Sequence, residues 1–251
     1  CPRCNNPVAI LGIYKKIDVA PHARHAKGIN IPYVAQYDEY KFQNCPYHKK
    51  RADYIKEYVP ETEEPQRHEL YRITKKHYDK AVYLLQKETG IYVTLRMAEA
   101  LAENYAIMRA YNYIDATIYN IPWFLIYSYN GFPLYHMIIR KNTTLYRHLR
   151  QLGLDLKDSK VKGHAYVENG EGYVLTATNY RYVVDGNDNL NEWLDFSIIR
   201  PDDTVTDTLL YVPVDRFSVS VDSYHFGNLI NYQNWKPRQN VLDIAKRYMN
   251  P

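Results

Sequence analysis

All three cysteines of this chain fall inside two matched two-residue spacers: Cys1-Pro-Arg-Cys4 opens the sequence, and about forty residues later Cys45-Pro-Tyr-His48 repeats the interval. Zinc takes four tetrahedral sulfur or nitrogen ligands, and a C-x2-C paired with a C-x2-H supplies three thiolates and one imidazole from two short knuckles. The spacing predicts a structural Zn2+ site made of Cys1, Cys4, Cys45 and His48. Two histidines between the knuckles offer a second set, Cys1, Cys4, His22 and His25, which leaves Cys45 and His48 without a role. Short strands are expected around the ligands, from Val8 to Ile17 and from Tyr33 to Phe42, where apolar and polar residues alternate.

The composition changes after this module. The stretch Pro60-Glu-Thr-Glu-Glu-Pro65 is charged and bounded by prolines, so the boundary is placed there, giving a zinc-binding module at 1–59 and a larger domain at 60–251. Apolar residues at helical spacing predict helices near 66–89, where Gly90 is a natural C-cap, near 95–111 behind a Thr94 cap, and at 145–152 behind Thr143 or Thr144. The run Trp123 to Tyr129, then Asn130-Gly131, then Phe132 to Ile139 reads as a hairpin, because Asn-Gly accepts the positive backbone angles of a tight turn. Residues 164–222 are strand-rich, punctuated by Asn-Gly, Asp-Gly and Pro-Asp turns, and a terminal helix is expected at 241–249. The fold class is α+β: a zinc-stabilised β module followed by helices and mostly antiparallel strands. No run of eighteen apolar residues exists to cross a membrane.

Charge is divided unevenly. Residues 1–162 hold 25 Lys and Arg against 16 Asp and Glu, and residues 163–251 hold 7 against 12. Within 140–162, Arg140, Lys141, Arg147, Arg150, Lys157, Lys160 and Lys162 meet only two acids. With Lys49, Lys50 and Arg51 they form a candidate phosphate-binding set, the bland alternative being ordinary solvated surface. Tyrosine is the compositional outlier, 27 residues against 6 phenylalanines. Its ring suits half-exposed strands, base stacking or a protein interface.

Three cysteines committed to a metal and no visible signal peptide place the chain in a reducing compartment, the cytoplasm. A ligand pair at the first residue, with no initiator Met, leads to the expectation that a few residues precede Cys1. No phosphate-binding glycine loop, G-x-S-x-G elbow or dinucleotide fingerprint is present, which disfavours nucleotide hydrolysis, serine hydrolysis and Rossmann redox chemistry.

Cys1-Pro-Arg-Cys4-Asn-Asn-Pro7-Val8, followed by Pro21-His22-Ala23-Arg24-His25, resembles the N-terminal zinc module of the competence-protein CoiA-like family, with Ala23 where that pattern has an aromatic residue. The resemblance covers about thirty residues and implies DNA or RNA handling, since that family joins the module to a nuclease-like domain. The order Asp18, His22 or His25, Asn30 or Asn44, His48 also resembles zinc-bracketed HNH nucleases, which makes Asp18, His22 and His25 catalytic candidates, one histidine activating water and the other helping to hold a divalent ion. A restriction-type alternative pairs Asp18 with Glu39-Tyr-Lys41 around Mg2+. The C-terminal aspartates, from Asp185 to Asp215, read as turn residues. The expected function is a zinc-containing nucleic-acid-binding protein, a nuclease or accessory factor of a phage or mobile element. The alternative is a non-enzymatic interaction protein in which zinc is only a staple and the tyrosine-rich surface meets a protein partner.

Overall fold

A computed structural model of the chain describes residues 1, 4–11, 22–43, 45, 51–53, 58, 64–184, 190–201 and 211–249. It divides into two compact units, one formed by Cys1–Ala52 with Tyr182–Asn191, the other by Asp53–Arg181 with Glu192–Pro251. The fold is α+β, with helices and antiparallel sheets.

In the first unit, β1 (Val8–Leu11) and β2 (His22–His25) form an antiparallel ladder with Val8 opposite His25. The alternating stretch from Tyr33 to Phe42, expected as a strand, is instead a turn followed by a short helix, α1 (Glu39–Gln43). Two local features override its alternation. Tyr33 takes a positive φ of 62°, and the Asp38 carboxylate accepts from the Lys41 amide at 2.9 Å, which caps a helix rather than extending a strand. Strand β3 (Arg51–Asp53) follows.

The helices of the second unit start where their caps dictate. The helix expected over 66–89 is two, α2 (Glu64–Lys76) and α3 (Tyr78–Thr89), because His77 leaves helical geometry at φ −117°, ψ 25°. Gly90 ends α3 in the left-handed conformation at φ 79°, and a Cβ there would lie 2.6 Å from Thr143 Cγ2, so glycine is needed for both angle and space. Thr94 accepts from the Met97 amide at 3.2 Å and starts α4 (Leu95–Ile107), after which a 3-10 turn covers Ala110–Asn112. Next comes α5 (Ile121–Tyr127), where a strand of a hairpin was expected. Pro122 in its first turn has no amide to lose there, and all seven residues are buried, so a helix that satisfies its own backbone is favoured over a strand that needs partners.

Two sheets follow. Strands β10 (Tyr211–Val221), β9 (Leu190–Pro201) and β8 (Val174–Val184) are neighbours in that order, and the short β4 (Phe132–Pro133) pairs with β8. Strands β5 (Ile138–Arg140), β7 (His164–Val167) and β6 (Leu156–Asp158) form a second, three-stranded antiparallel sheet, reached through α6 (Thr144–Gln151). A helix not expected from the sequence, α7 (Ser223–Ile230), starts where Asp222 accepts from the Tyr224 amide at 2.8 Å, and the terminal helix α8 (Gln239–Tyr248) packs chiefly on α4. Among the described residues no helix is long and apolar enough to cross a membrane.

Several tyrosines belong to the core. Tyr78, Tyr105, Tyr113 and Tyr180 are at most 1 % exposed and lie with Trp123, Phe124 and Phe196 in the second unit. Three of the hydroxyls find partners inside: Tyr78 donates to the Ala98 carbonyl, Tyr105 meets Thr74 Oγ1 at 3.1 Å, and Tyr180 bonds the buried Glu192 carboxylate. The buried Asp79 carboxylate accepts from Trp235 Nε1 at 2.7 Å and the Arg238 amide at 3.0 Å, which docks the approach to α8 onto α3.

Candidate functional site

The first knuckle is folded by its own backbone. The Asn5 amide donates to the Cys1 carbonyl at 2.9 Å, and Asn5 takes a positive φ of 56°, an angle asparagine tolerates better than most residues. Asn6, only 1 % exposed, then binds both backbone groups of one residue: its Oδ1 accepts from the Asp38 amide at 2.6 Å and its Nδ2 donates to the Asp38 carbonyl at 3.1 Å. Asp38 caps α1, and the Cys45 amide donates to the Phe42 carbonyl at 3.2 Å just beyond that helix. One buried carboxamide therefore links the knuckle that carries Cys1 and Cys4 to the helix that leads to Cys45.

The β ladder supplies the fourth group. With Val8 opposite His25 and the Ala26 amide bonded to the Pro7 carbonyl at 3.0 Å, the chain returns beside Cys4. The His25 ring stands edge-on to Phe42 with centroids 5.5 Å apart. Cys1, Cys4, His25 and Cys45 bring one ligand atom each to within 4.8 Å of one another.

The spacing of these atoms fits a tetrahedral ion. With Zn–S near 2.3 Å and Zn–N near 2.0 Å, the edges of the tetrahedron are about 3.8 Å between sulfurs and about 3.5 Å between sulfur and nitrogen. Cys1 Sγ lies 3.8 Å from Cys45 Sγ, and Cys4 Sγ lies 3.3 Å from His25 Nε2. Hydrogen bonding with Cys45 pulls the Cys4 thiol from an ordinary 9.0 down to about 5, against the opposing effect of burial, with help from Asn6 and His25. Thiolate is the form that binds metal, so the group is prepared for it. The set can hold a metal ion, and three sulfurs with one imidazole nitrogen are compatible with zinc.

The structure brings together Cys1, Cys4 and Cys45 of the expected ligands, with His25 as the imidazole. His48 lies outside the described residues, as do Asp18, Lys49 and Lys50, while His22 and Arg51 are described by backbone alone in β2 and β3. Sequence reasoning weighed His25 only alongside His22 and without Cys45. Glu39 and Lys41, offered as part of a restriction-type triad on adjacent strands, lie on α1, where Lys41 pairs with Asp38 at 3.3 Å. That triad needs strands to aim its carboxylates, so the assignment is withdrawn. Of the C-terminal aspartates, Asp195 is held by Arg181 at 2.9 Å and Asp215 by His148 at 2.7 Å, while Asp185, Asp188, Asp202, Asp203 and Asp207 lie outside the described residues.

The remaining basic candidates gather in the second unit. Arg140 ends β5, where its guanidinium donates to the Lys87 carbonyl at 2.8 Å and keeps its charge at the surface. Lys141 is paired with Asp158 at 2.6 Å, which raises its pKa. Arg147 and Arg150 are exposed on α6, on the side opposite the buried Leu145 and Leu149. Lys160 and Lys162, also exposed, lie on the connection from β6 to β7.

No known family model matches the chain, and no curated protein or solved structure does so either.

Proposed function

We propose that this protein binds nucleic acid, with a zinc ion held by Cys1, Cys4, His25 and Cys45 as the staple of its first unit. The observation that supports the reading is the cation-rich segment from Arg140 to Lys162, seven Lys and Arg against two Asp, whose helix and turns leave most of those charges at the surface. A cluster of this kind lowers the free energy of a polyanion by releasing its condensed counterions, and the effect is steep in salt. Asp158 is spent on Lys141 and Glu168 pairs with Lys157 at 3.4 Å, so the reading leans on Arg140, Arg147, Arg150, Lys160 and Lys162.

The reading is one of binding. His25, a catalytic candidate, already shares the thiol cluster, and a zinc ligand is a poor general base because its lone pair is engaged.

Gel-shift titration with single- and double-stranded probes at about 50 and 200 mM salt tests this directly. Binding that weakens steeply with salt, and whose salt slope flattens in the Arg147→Gln/Arg150→Gln double variant, supports the reading. Salt-insensitive binding, or none, overturns it and favours the interaction-protein alternative.

A further inference from the structure

The three-stranded sheet of the second unit has two unlike faces. On one, Ile139, Ala165 and Val167 are at most 1 % exposed and pack into the core. The pleat sends their neighbours to the other side. The register places Tyr166 between Ile138 and Lys157, and His164 beside Arg140. These five residues are half-buried or exposed, and among them is no carboxylate or carboxamide.

Rings outside the strands extend this face. The exposed His136 lies parallel to Tyr166, with 8° between planes and centroids 5.6 Å apart, and the exposed Tyr135 stands edge-on to His136 at 4.0 Å. Tyr92, whose amide donates to the Ile138 carbonyl at 2.9 Å, stands edge-on to His164 at 5.6 Å. His136 holds a positive φ of 57°, uncommon outside glycine, and is kept there by its amide bonding the Val167 carbonyl at 2.8 Å. The result is two aromatic platforms, Tyr166 with His136 and His164 with Tyr92, edged by Arg140, Lys162 and Lys157, the last paired with Glu168 at 3.4 Å.

We infer that this face binds single-stranded DNA, with bases stacking on the two platforms and the flanking cations holding phosphates. The inference rests on the nucleic-acid reading above and assigns it a site and a strand type. Tyr166 and His164 are two residues apart on one strand, about 7 Å. That is roughly twice the 3.4 Å rise of each strand in a stacked duplex, so the platforms suit bases drawn apart in a single strand. Every base has a π-face, and stacking on aromatic side chains tolerates any sequence. The choice of DNA over RNA follows from Ile138, which lies opposite Tyr166 and offers an apolar contact to a deoxyribose where a 2′-hydroxyl would lose its hydration.

The test is fluorescence anisotropy of the full chain with labelled dT12, rU12 and a 12-base-pair duplex. We expect dT12 to bind more tightly than rU12 and the duplex, and Tyr166→Ala/His136→Ala to weaken dT12 binding by about 5- to 150-fold. Tyr166→Phe should retain most of the affinity, since the ring and not the hydroxyl does the stacking. Ultraviolet crosslinking of wild-type protein to dT12 should mark the peptide that contains Tyr166, a readout that does not depend on how any variant folds. Salt-sensitive dT12 binding that is unchanged in the double variant, with crosslinks elsewhere, overturns this site and leaves the nucleic-acid reading intact. Tighter binding of rU12 or of the duplex overturns the strand assignment, and no binding of any probe overturns both proposals.

Discussion

The two units are held together by different physics. Among the described residues of the first unit, the buried apolar side chains are Phe42, Tyr182 and two of the thiols, Cys4 and Cys45, while Ile10, Ile29, Tyr33 and Val34 are all more than half exposed. The second unit buries Trp123, Phe124, Phe196, Phe226 and a set of tyrosines almost completely. A core like the second stabilises itself through apolar area removed from water. The first unit is too thin for that, and a metal ion linking three thiolates and an imidazole would supply what its core does not. The lesson is that the first unit would fold around the ion its Cys1, Cys4, His25 and Cys45 cluster can hold, whereas the second unit can fold around its own interior.

The sharpest way to break this comparison is to remove a thiolate. Structural zinc contributes on the order of 10 kcal/mol to small metal-dependent modules, so Cys45→Ser should abolish stoichiometric zinc and unfold the first unit. Calorimetry should still show the melting transition of the second unit, and loss of both transitions together would contradict the division. The converse change is Trp123→Ala, which empties a fully buried site in the second unit and should cost it about 3–5 kcal/mol. Zinc content should stay at one equivalent per chain by elemental analysis.

Asn6→Ala probes the next level down. The carboxamide touches no metal, yet it joins the knuckle to the α1 cap, and outer-shell changes of this kind typically weaken metal affinity by about 10- to 100-fold. Competition with a chromogenic chelator measures it, and unchanged affinity would show that the knuckle does not depend on Asp38. The smallest effect is one of pH. The folded Cys4 thiol sits at about 5 against an ordinary 9.0. Its contribution is therefore complete above 9.0, declines as the pH falls below that value, and is gone once the pH has passed through about 5. Zinc should be held at pH 7 and released on acidification toward pH 5 and below, so full retention at pH 4 in the chelator assay would contradict the thiolate assignment.

What could be read from the sequence followed the strength of local chemistry. The cysteine spacers announced three of the four clustered groups, and Thr94, Gly90 and Thr143 announced helix ends that the structure keeps. His25 was harder, because its place depends on the register of the β1–β2 ladder, which sets Val8 against His25 and which no spacing reveals. The stretch Ile121–Tyr127 misled for another reason: a short run of apolar and aromatic residues fits a buried strand and a buried helix equally, and only Pro122 in the first turn tips the balance. Tyr33 to Phe42 alternates like a strand, but the Asp38 cap decides for α1. The aromatic face of the small sheet lay beyond reach altogether, since Tyr92, His136 and the β7 pair His164 and Tyr166 come from three separate segments.

Zinc K-edge X-ray absorption of the purified, zinc-loaded protein addresses the metal centre most directly. Three sulfur scatterers near 2.3 Å and one nitrogen scatterer near 2.0 Å are expected for Cys1, Cys4, Cys45 and His25. Two sulfurs with two nitrogens, or an oxygen-rich shell, would contradict the cluster and return the ligand question to His22.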